Sequence, residues 1–322
     1  MKLCQIVCRT GLLVACAMPA LAAYAMEQLD DHQMAALTGQ DGITLAIQPA
    51  NSTLSFSQAG LVHIEDRTNA LSPRASLVMA PTTFSPTQGI RFFASPTVAT
   101  ATAQPIRIDI DADGNNASPV LNINFALPTD LQRIQISPFS VYLANGNDSI
   151  FTPTGRPVNG TSILRTGVTE VFRVSGTGLN IVLAANNTVS ANLQLGASEP
   201  QSSMLRFTGG AIVSISSDAP VELVSRNTSG VVSSLRFDLN IASALPAGFS
   251  LNGFYGDFNN AGLVFGKAGW SDPLNVTLNN VTVGTIPSPA STVFNSLPNA
   301  SLGDIGLTGL RIRDLRLDVA GL

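Results

Sequence analysis

Asp109-Ile110-Asp111-Ala112-Asp113-Gly114-Asn115-Asn116 holds the side chains best suited to chemistry in this 322-residue chain. Alternate aspartates of an extended segment project to one side, and a turn at Gly114 can fold Asn115 back toward them. Asp109, Asp111, Asp113 and Asn115 are therefore a candidate set of hard oxygen ligands for Ca²⁺. The spacing resembles the start of a calcium loop, with three ligand positions and a glycine in place. It departs at the end, where the bidentate acid of such a loop falls on Val120 and no flanking helices are expected. The competing reading puts the same carboxylates on the solvent face of a strand that ends in an Asp-Gly turn.

Other chemistries find little to work with. His32 and His63 are the two histidines, and the three cysteines, Cys4, Cys8 and Cys16, all lie near the start, so a zinc site is not expected. No serine stands in a GxSxG elbow, and nothing singles out a carboxylate pair for glycoside hydrolysis. A secreted hydrolase is accordingly the weakest function class, and the expectation is a non-enzymatic protein with no catalytic residue and no certain cofactor. Phe249, Phe254, Tyr255, Phe258 and Trp270 gather in a glycine-rich stretch. They offer an exposed ring surface or, as we favour, rings that cover glycines within a twisted sheet.

The elements that must position these residues begin after an export signal. Residues 1–25 carry Lys2 and Arg9, an apolar stretch and the small-residue site Ala23-Tyr24-Ala25, which reads as a cleaved secretory signal. A lipoprotein box ending at Cys16 is the minor alternative. Cleavage after Ala25 removes every cysteine, so no disulfide is expected despite an oxidising compartment. The remainder keeps 15 basic against 21 acidic residues, a formal charge near −6 with Lys267 its one lysine. Charges are few and dispersed, which excludes a nucleic-acid surface and a polybasic membrane patch.

Residues 26–41 predict one short helical motif: Asp30 or Asp31 caps it, Leu29, Met34 and Leu37 form its apolar face, and Gly39 stops it. Two turns are not stable alone in water, so the segment must dock. From Gly42 the period changes to two, and residues 42–322 read as a β-rich region, with two subdomains meeting near 197–203 as one option. The fold class is all-β, an elongated or sandwich-like antiparallel sheet assembly. Prolines between 65 and 105 point to loops and edge strands there. NINFALP at 122–128 is echoed by DLNIASALP at 238–246, a weak sign of duplication. At the C-terminus the apolar phase changes at Arg313-Asp314, which predicts a β-bulge in a strand able to pair with another chain if it ends a sheet. Short strands, 6% aromatics and no terminal aromatic residue disfavour an outer-membrane barrel.

The stretch from Leu29 to Ile43, LDDHQMAALTGQDGI, resembles a motif at the mature start of a family of exported proteobacterial β-rich proteins, some of them described as pilus-system or filament-associated. The resemblance implies a surface or filament-linked role without enzymatic activity, and interaction residues at Leu29, Met34, Leu37, Gly39 and Gly42. The expected function is thus a structural, adhesive or filament-associated component in the periplasm, on the outer-membrane surface or outside the cell. Self-association or a protein partner is expected, and not membrane integration. A periplasmic ligand- or lipid-binding β protein is the runner-up, distinguished by an apolar groove along one long sheet.

Overall fold

A computed structural model describes residues 42–55, 62–65, 75–81, 88–113, 119–145, 158–159, 162–163, 169–196, 201–226, 232–259, 262–285 and 300–319. The signal, the short helical motif with Leu29, Met34, Leu37 and Gly39, and Asn115 lie outside the described residues. The chain divides into two compact units, residues 1–42 and 43–322. Of the first, only Gly42 is described, at a left-handed φ of 63° immediately before the first strand.

The strands begin with β1 (Ile43–Ile47), β2 (Thr53–Ser55), β3 (Val62–Glu65), β4 (Ala75–Pro81), β5 (Gly89–Phe93) and β6 (Ile106–Asp113). Next come β7 (Val120–Ala126), β8 (Arg133–Ile136), β9 (Phe139–Asn145), β10 (Val158–Asn159), β11 (Ser162–Ile163) and β12 (Thr169–Val174). The middle holds β13 (Leu179–Leu183), β14 (Ser190–Gly196), β15 (Leu205–Gly209), β16 (Ala211–Ser217), β17 (Val221–Arg226) and β18 (Val232–Ser243). The last are β19 (Phe249–Ser250), β20 (Phe254–Asn259), β21 (Gly262–Trp270), β22 (Leu274–Thr285), β23 (Ala300–Leu310) and β24 (Arg313–Val319). One 3-10 turn at Ala50–Ser52 is the sole helical element among the described residues.

All-β is therefore the fold class, and every pairing among the described residues is antiparallel. An 8-stranded sheet has the order β1-β6-β7-β14-β15-β20-β21-β24, and a 14-stranded sheet contains the series β5-β8-β13-β16-β18 with β22 and β23 continuing from β18. The two series match. The chain leaves each strand of one sheet and enters its counterpart in the other, as from β7 to β8, β13 to β14, β15 to β16 and β21 to β22. The molecule is an antiparallel meander whose long runs cross from sheet to sheet. Neither sheet closes into a barrel.

A second break crosses the 14-stranded sheet at one level. It falls at Ser137-Pro138 between β8 and β9, at 175–178 between β12 and β13, and at 218–220 between β16 and β17, while β9, β12 and β17 pair beyond it. Proline cannot donate to a ladder, and the glycines meet a close approach. A Cβ on Gly178, at φ 97°, would stand 1.8 Å from the Ile136 carbonyl oxygen, and one on Gly176 would meet Ala219 at 2.5 Å. The same level continues through the β18–β22 register slip after Arg236 and through Asn280 at φ 54°.

Each level encloses apolar packing. Phe92, Leu131 and Leu183 are buried where the runs pass between sheets, with Ile106, Leu127 and Val189 packed on them from the side of the 8-stranded sheet. Phe139, Val174 and Val221 are buried at the second break among Ile136, Phe172, Leu179 and Phe237. Burial of this kind contributes roughly 1.5–3 kcal/mol per large side chain. The opposite face of the second level is ionic: Arg173 holds Glu170 at 2.5 Å and Glu222 at 3.4 Å, and Arg236 holds Glu222 at 2.8 Å. Hydrogen bonding to Glu170 raises the Arg173 pKa above its ordinary range against the effect of burial.

Several expectations change in detail. LQRIQISPFSVYLA at 131–144, whose sequence reads as a single strand run, is β8 and β9 separated by Pro138. The C-terminal stretch divides between the sheets: β23 pairs with β22 in the larger, and after Ile312 β24 pairs with β21 in the smaller, where the register slips between Arg313 and Leu315, at the place where the apolar phase changes. Ile312 is fixed at the crossing by exchange with Ser271, whose amide donates to its carbonyl and whose hydroxyl accepts from its amide, both at 2.8 Å. The echoed segments lie in different settings, on β7 of one sheet and β18 of the other. β14 and β15 flank residues 197–203 and pair with each other.

Candidate interaction surfaces and a polar cavity

Register converts the alternating sequence into faces, since residues directly opposite in an antiparallel ladder share a side. Ile43, Leu45 and Ile47 of β1 stand opposite Ile110, Ile108 and Ile106, and Ile108 stands opposite Phe125. The row continues through Ala191, Leu193 and Leu195 of β14 to Leu205 and Phe207 of β15. It ends with Phe265 opposite Leu317 and Leu263 opposite Val319 on β24. One face of the 8-stranded sheet is thus apolar from edge to edge, and it is poorly covered: Ile43 is 60% exposed, Leu45 44% and Leu317 56%.

The edges differ in how they are guarded. Among the described residues no strand pairs with the outer side of β1 or β24. β1 keeps unbroken register with β6 over all its residues, contains no charge or proline, and ends five pairs of apolar-polar alternation. β24 keeps register with β21 from Leu315 to Val319, slips between Leu315 and Arg313, and carries Arg313, Asp314, Arg316 and Asp318. In the larger sheet β2 and β3 are short, and β23 is broken by three register slips and by Gly303 and Gly309 at positive φ. Short strands, bulges and edge charges discourage edge pairing, so β1 is the least guarded template and the Leu315–Val319 part of β24 is its regular counterpart at the other edge.

The aspartates lie on the polar face of the same sheet. Asp109 Oδ1 accepts from Thr44 Oγ1 at 2.7 Å and from Arg107 Nε at 2.8 Å, and the Thr44 bond, with Arg107 adding to it, holds this carboxyl below its ordinary pKa. Asp111 stands opposite Asn122 on the same face, and Asp113 ends β6. Among the described residues no group of three acidic, histidine or cysteine side chains converges as a metal site. Gly42 is the one interaction residue of the N-terminal motif that is described. His63 lies on β3.

The aromatic cluster divides between its two readings. The Phe265 ring lies 3.3 Å from where a Gly256 Cβ would stand, and the Tyr255 ring lies over Gly266 in the same way, so these rings do cover glycines. Phe249 and Phe254 pack with centroids 5.7 Å apart beneath Lys267, whose Nζ is 5.0 Å from the Phe254 ring. Phe258 and Trp270 instead remain about 60% exposed.

A cavity that sequence reasoning missed opens on the polar face at the second break. It has a volume of about 410 Å³ and is walled by Arg91, Arg133, Gln135, Ser137, Thr177 and Asp218, with Gln88 at its side. Register builds it: Arg91 stands opposite Gln135, and Phe93 opposite Arg133. The Phe93 ring is 4% exposed and carries both guanidinium groups, Arg91 at 4.7 Å and Arg133 at 4.5 Å. Arg91 donates to Gln135 Oε1 at 3.3 Å, Gln135 donates to Asn180 at 3.2 Å, and Arg133 donates to the Val98 carbonyl at 3.3 Å. Thr177 donates to Asp218 on the far wall. Arg133 Nε and Gln88 Oε1 are buried without a hydrogen-bond partner among the described residues. Burial lowers the Arg133 pKa from its ordinary range, with Asp218 opposing the shift and Arg91 adding to it. The available sequence signal was weak, since two arginines alternating with apolar residues read as an ordinary solvent face.

Residues 3–72 match a family described as being of unknown function (DUF6160), a segment that takes in the LDDHQMAALTGQDGI motif and extends through β3. No curated protein and no solved structure matches the chain. Among the described residues no helix is long and apolar enough to cross a membrane.

Proposed function

We propose that this chain is a non-enzymatic exported protein that serves as a structural, adhesive or filament-associated component of the cell envelope and associates with further copies of itself. One observation carries the reading: among the described residues the smaller sheet ends in two unpaired edges, β1 and the Leu315–Val319 part of β24, that bear the same apolar row on the same face. Its eight strands alternate in direction, so β1 and β24 are antiparallel to each other. A second copy in the same orientation therefore presents β1 antiparallel to β24 of the first. Such a head-to-tail contact leaves a free edge at each end and so continues. Period two fixes the parity, with Leu315, Leu317 and Val319 extending the row of Ile43, Leu45 and Ile47.

Light scattering after size exclusion, on the chain from Met26 onward over a range of concentrations, tests this. Growth beyond a dimer is expected. Leu45→Lys or Leu317→Lys, each at an exposed position, should give monomers, while an equimolar mixture of the two should give dimers because each supplies the edge the other lacks. A wild-type monomer at every concentration would sink the self-association reading and favour a periplasmic binding protein.

A further inference from the structure

We propose that the cavity at the second break is a binding site for a sugar acid, a hydroxylated ring bearing a carboxylate. Arg91 and Arg133 share one aromatic ring and one cavity, yet neither forms an ion pair among the described residues. Two guanidinium groups held together repel each other unless an anion lies between them, and the planar fork of arginine matches a carboxylate. The Phe93 ring and the hydrogen bonds to Gln135 and Val98 hold both groups in place before any ligand arrives, so little side-chain freedom is lost on binding.

The rest of the wall selects for hydroxyls. Thr177 Oγ1 donates to Asp218 and keeps acceptor capacity, Ser137 Oγ accepts from the Gly89 amide and keeps its own proton to donate, and Asp218 retains further acceptor capacity. A bare inorganic anion answers the arginines alone. A neutral sugar answers the amides and Asp218 but leaves the two cations facing each other. A cavity of about 410 Å³ lies within the usual range for small-molecule sites and suits one or two sugar rings. Its floor is the bend itself, where Ser137 accepts from the Gly89 amide at 3.0 Å, so the site rests on paired backbone.

The site is separate from β1 and β24, and its test does not depend on assembly. Isothermal titration of the exported protein with glucuronate, glucose and inorganic phosphate reads it directly. Saturable glucuronate binding is expected, with glucose and phosphate each at least about tenfold weaker, since one charge-assisted hydrogen bond is worth a factor of that order. Arg133→Gln and, separately, Arg91→Gln should each weaken glucuronate by a similar factor, and Thr177→Val, which removes a wall hydroxyl, should weaken it while leaving the cations intact. Circular dichroism establishes that each variant is folded. Absence of glucuronate binding, binding unchanged in folded Arg133→Gln and Arg91→Gln, or phosphate binding as tight as glucuronate would each overturn the proposal.

Discussion

Gly178→Ala tests whether the second break depends on close backbone approach. At φ 97° an alanine is strained, as any L-residue is, and its Cβ would stand 1.8 Å from the Ile136 carbonyl oxygen and 2.9 Å from the Ser137 carbonyl carbon. Gly253 is the control: its φ is 87°, but a Cβ there has nothing within 4 Å. The backbone cost, about 1–2 kcal/mol, is common to both positions. Only Gly178 adds overlap with main-chain atoms that cannot rotate away, roughly 1–3 kcal/mol or more if the strands have to part. Urea unfolding followed by far-UV circular dichroism should give a loss of about 1–2 kcal/mol for Gly253→Ala and about 2–5 kcal/mol for Gly178→Ala. Equal losses would show that the run between β12 and β13 bends without needing this approach, and would refute the account of the break. Because Thr177 walls the cavity, Gly178→Ala should also lower ligand affinity in whatever fraction stays folded.

Glu222→Gln removes the charge that joins Arg173 to Arg236. Breaking a buried pair costs about 3–5 kcal/mol, but both arginines are a third or more exposed and water screens them, so a loss of roughly 1–3 kcal/mol in urea midpoint analysis is expected. Thr44→Val deletes the hydroxyl that donates to Asp109, whose titration by carbon-detected NMR should then move up toward the ordinary carboxylate range. The sign follows from linkage: a carboxyl with a lowered folded pKa adds stability above its unfolded pKa and loses it as the pH falls through the folded value, so the wild type's advantage over Thr44→Val should be full near neutral pH and shrink as acid takes the carboxyl through its folded value. The Arg107 guanidinium on Asp109 Oδ1 competes by charge with any cation there, so Arg107→Gln should tighten any calcium binding measured by titration calorimetry. An affinity that does not change would remove Asp109 from the ligand set.

Much of the strand content was legible because alternation survives in single segments: IRIDIDAD is β6, and AIVSISS is β16. Pairing was not legible, because the partners of β14 are β7 and β15, one of them some seventy residues away, and nothing local encodes that choice. Pro138 interrupts an alternation that otherwise runs through 131–144, and the break it makes depends on Gly176, Gly178 and Pro220 standing at one level, which only the ladders reveal. The cavity escaped for the same reason. Arg91 and Arg133 lie forty-two positions apart, and their shared face follows from the pairing of β5 with β8. The phase change at Arg313-Asp314 coincides with a register slip in the β21–β24 ladder, whereas the change of sheet at Ile312 has no local signal.

The order of the meander also sets how the protein carries load. β1 and β24 terminate opposite sides of one sheet, so tension applied between Ile43 and Val319 acts across the ladders and not along them. Hydrogen bonds pulled in that direction open one after another, like a zip, at low force. Pulling along the strands would instead slide a whole ladder at once and meet far greater resistance. A chain of copies joined edge to edge would therefore stretch by releasing single runs, and would be stiff lengthwise to the strands but compliant along its own axis.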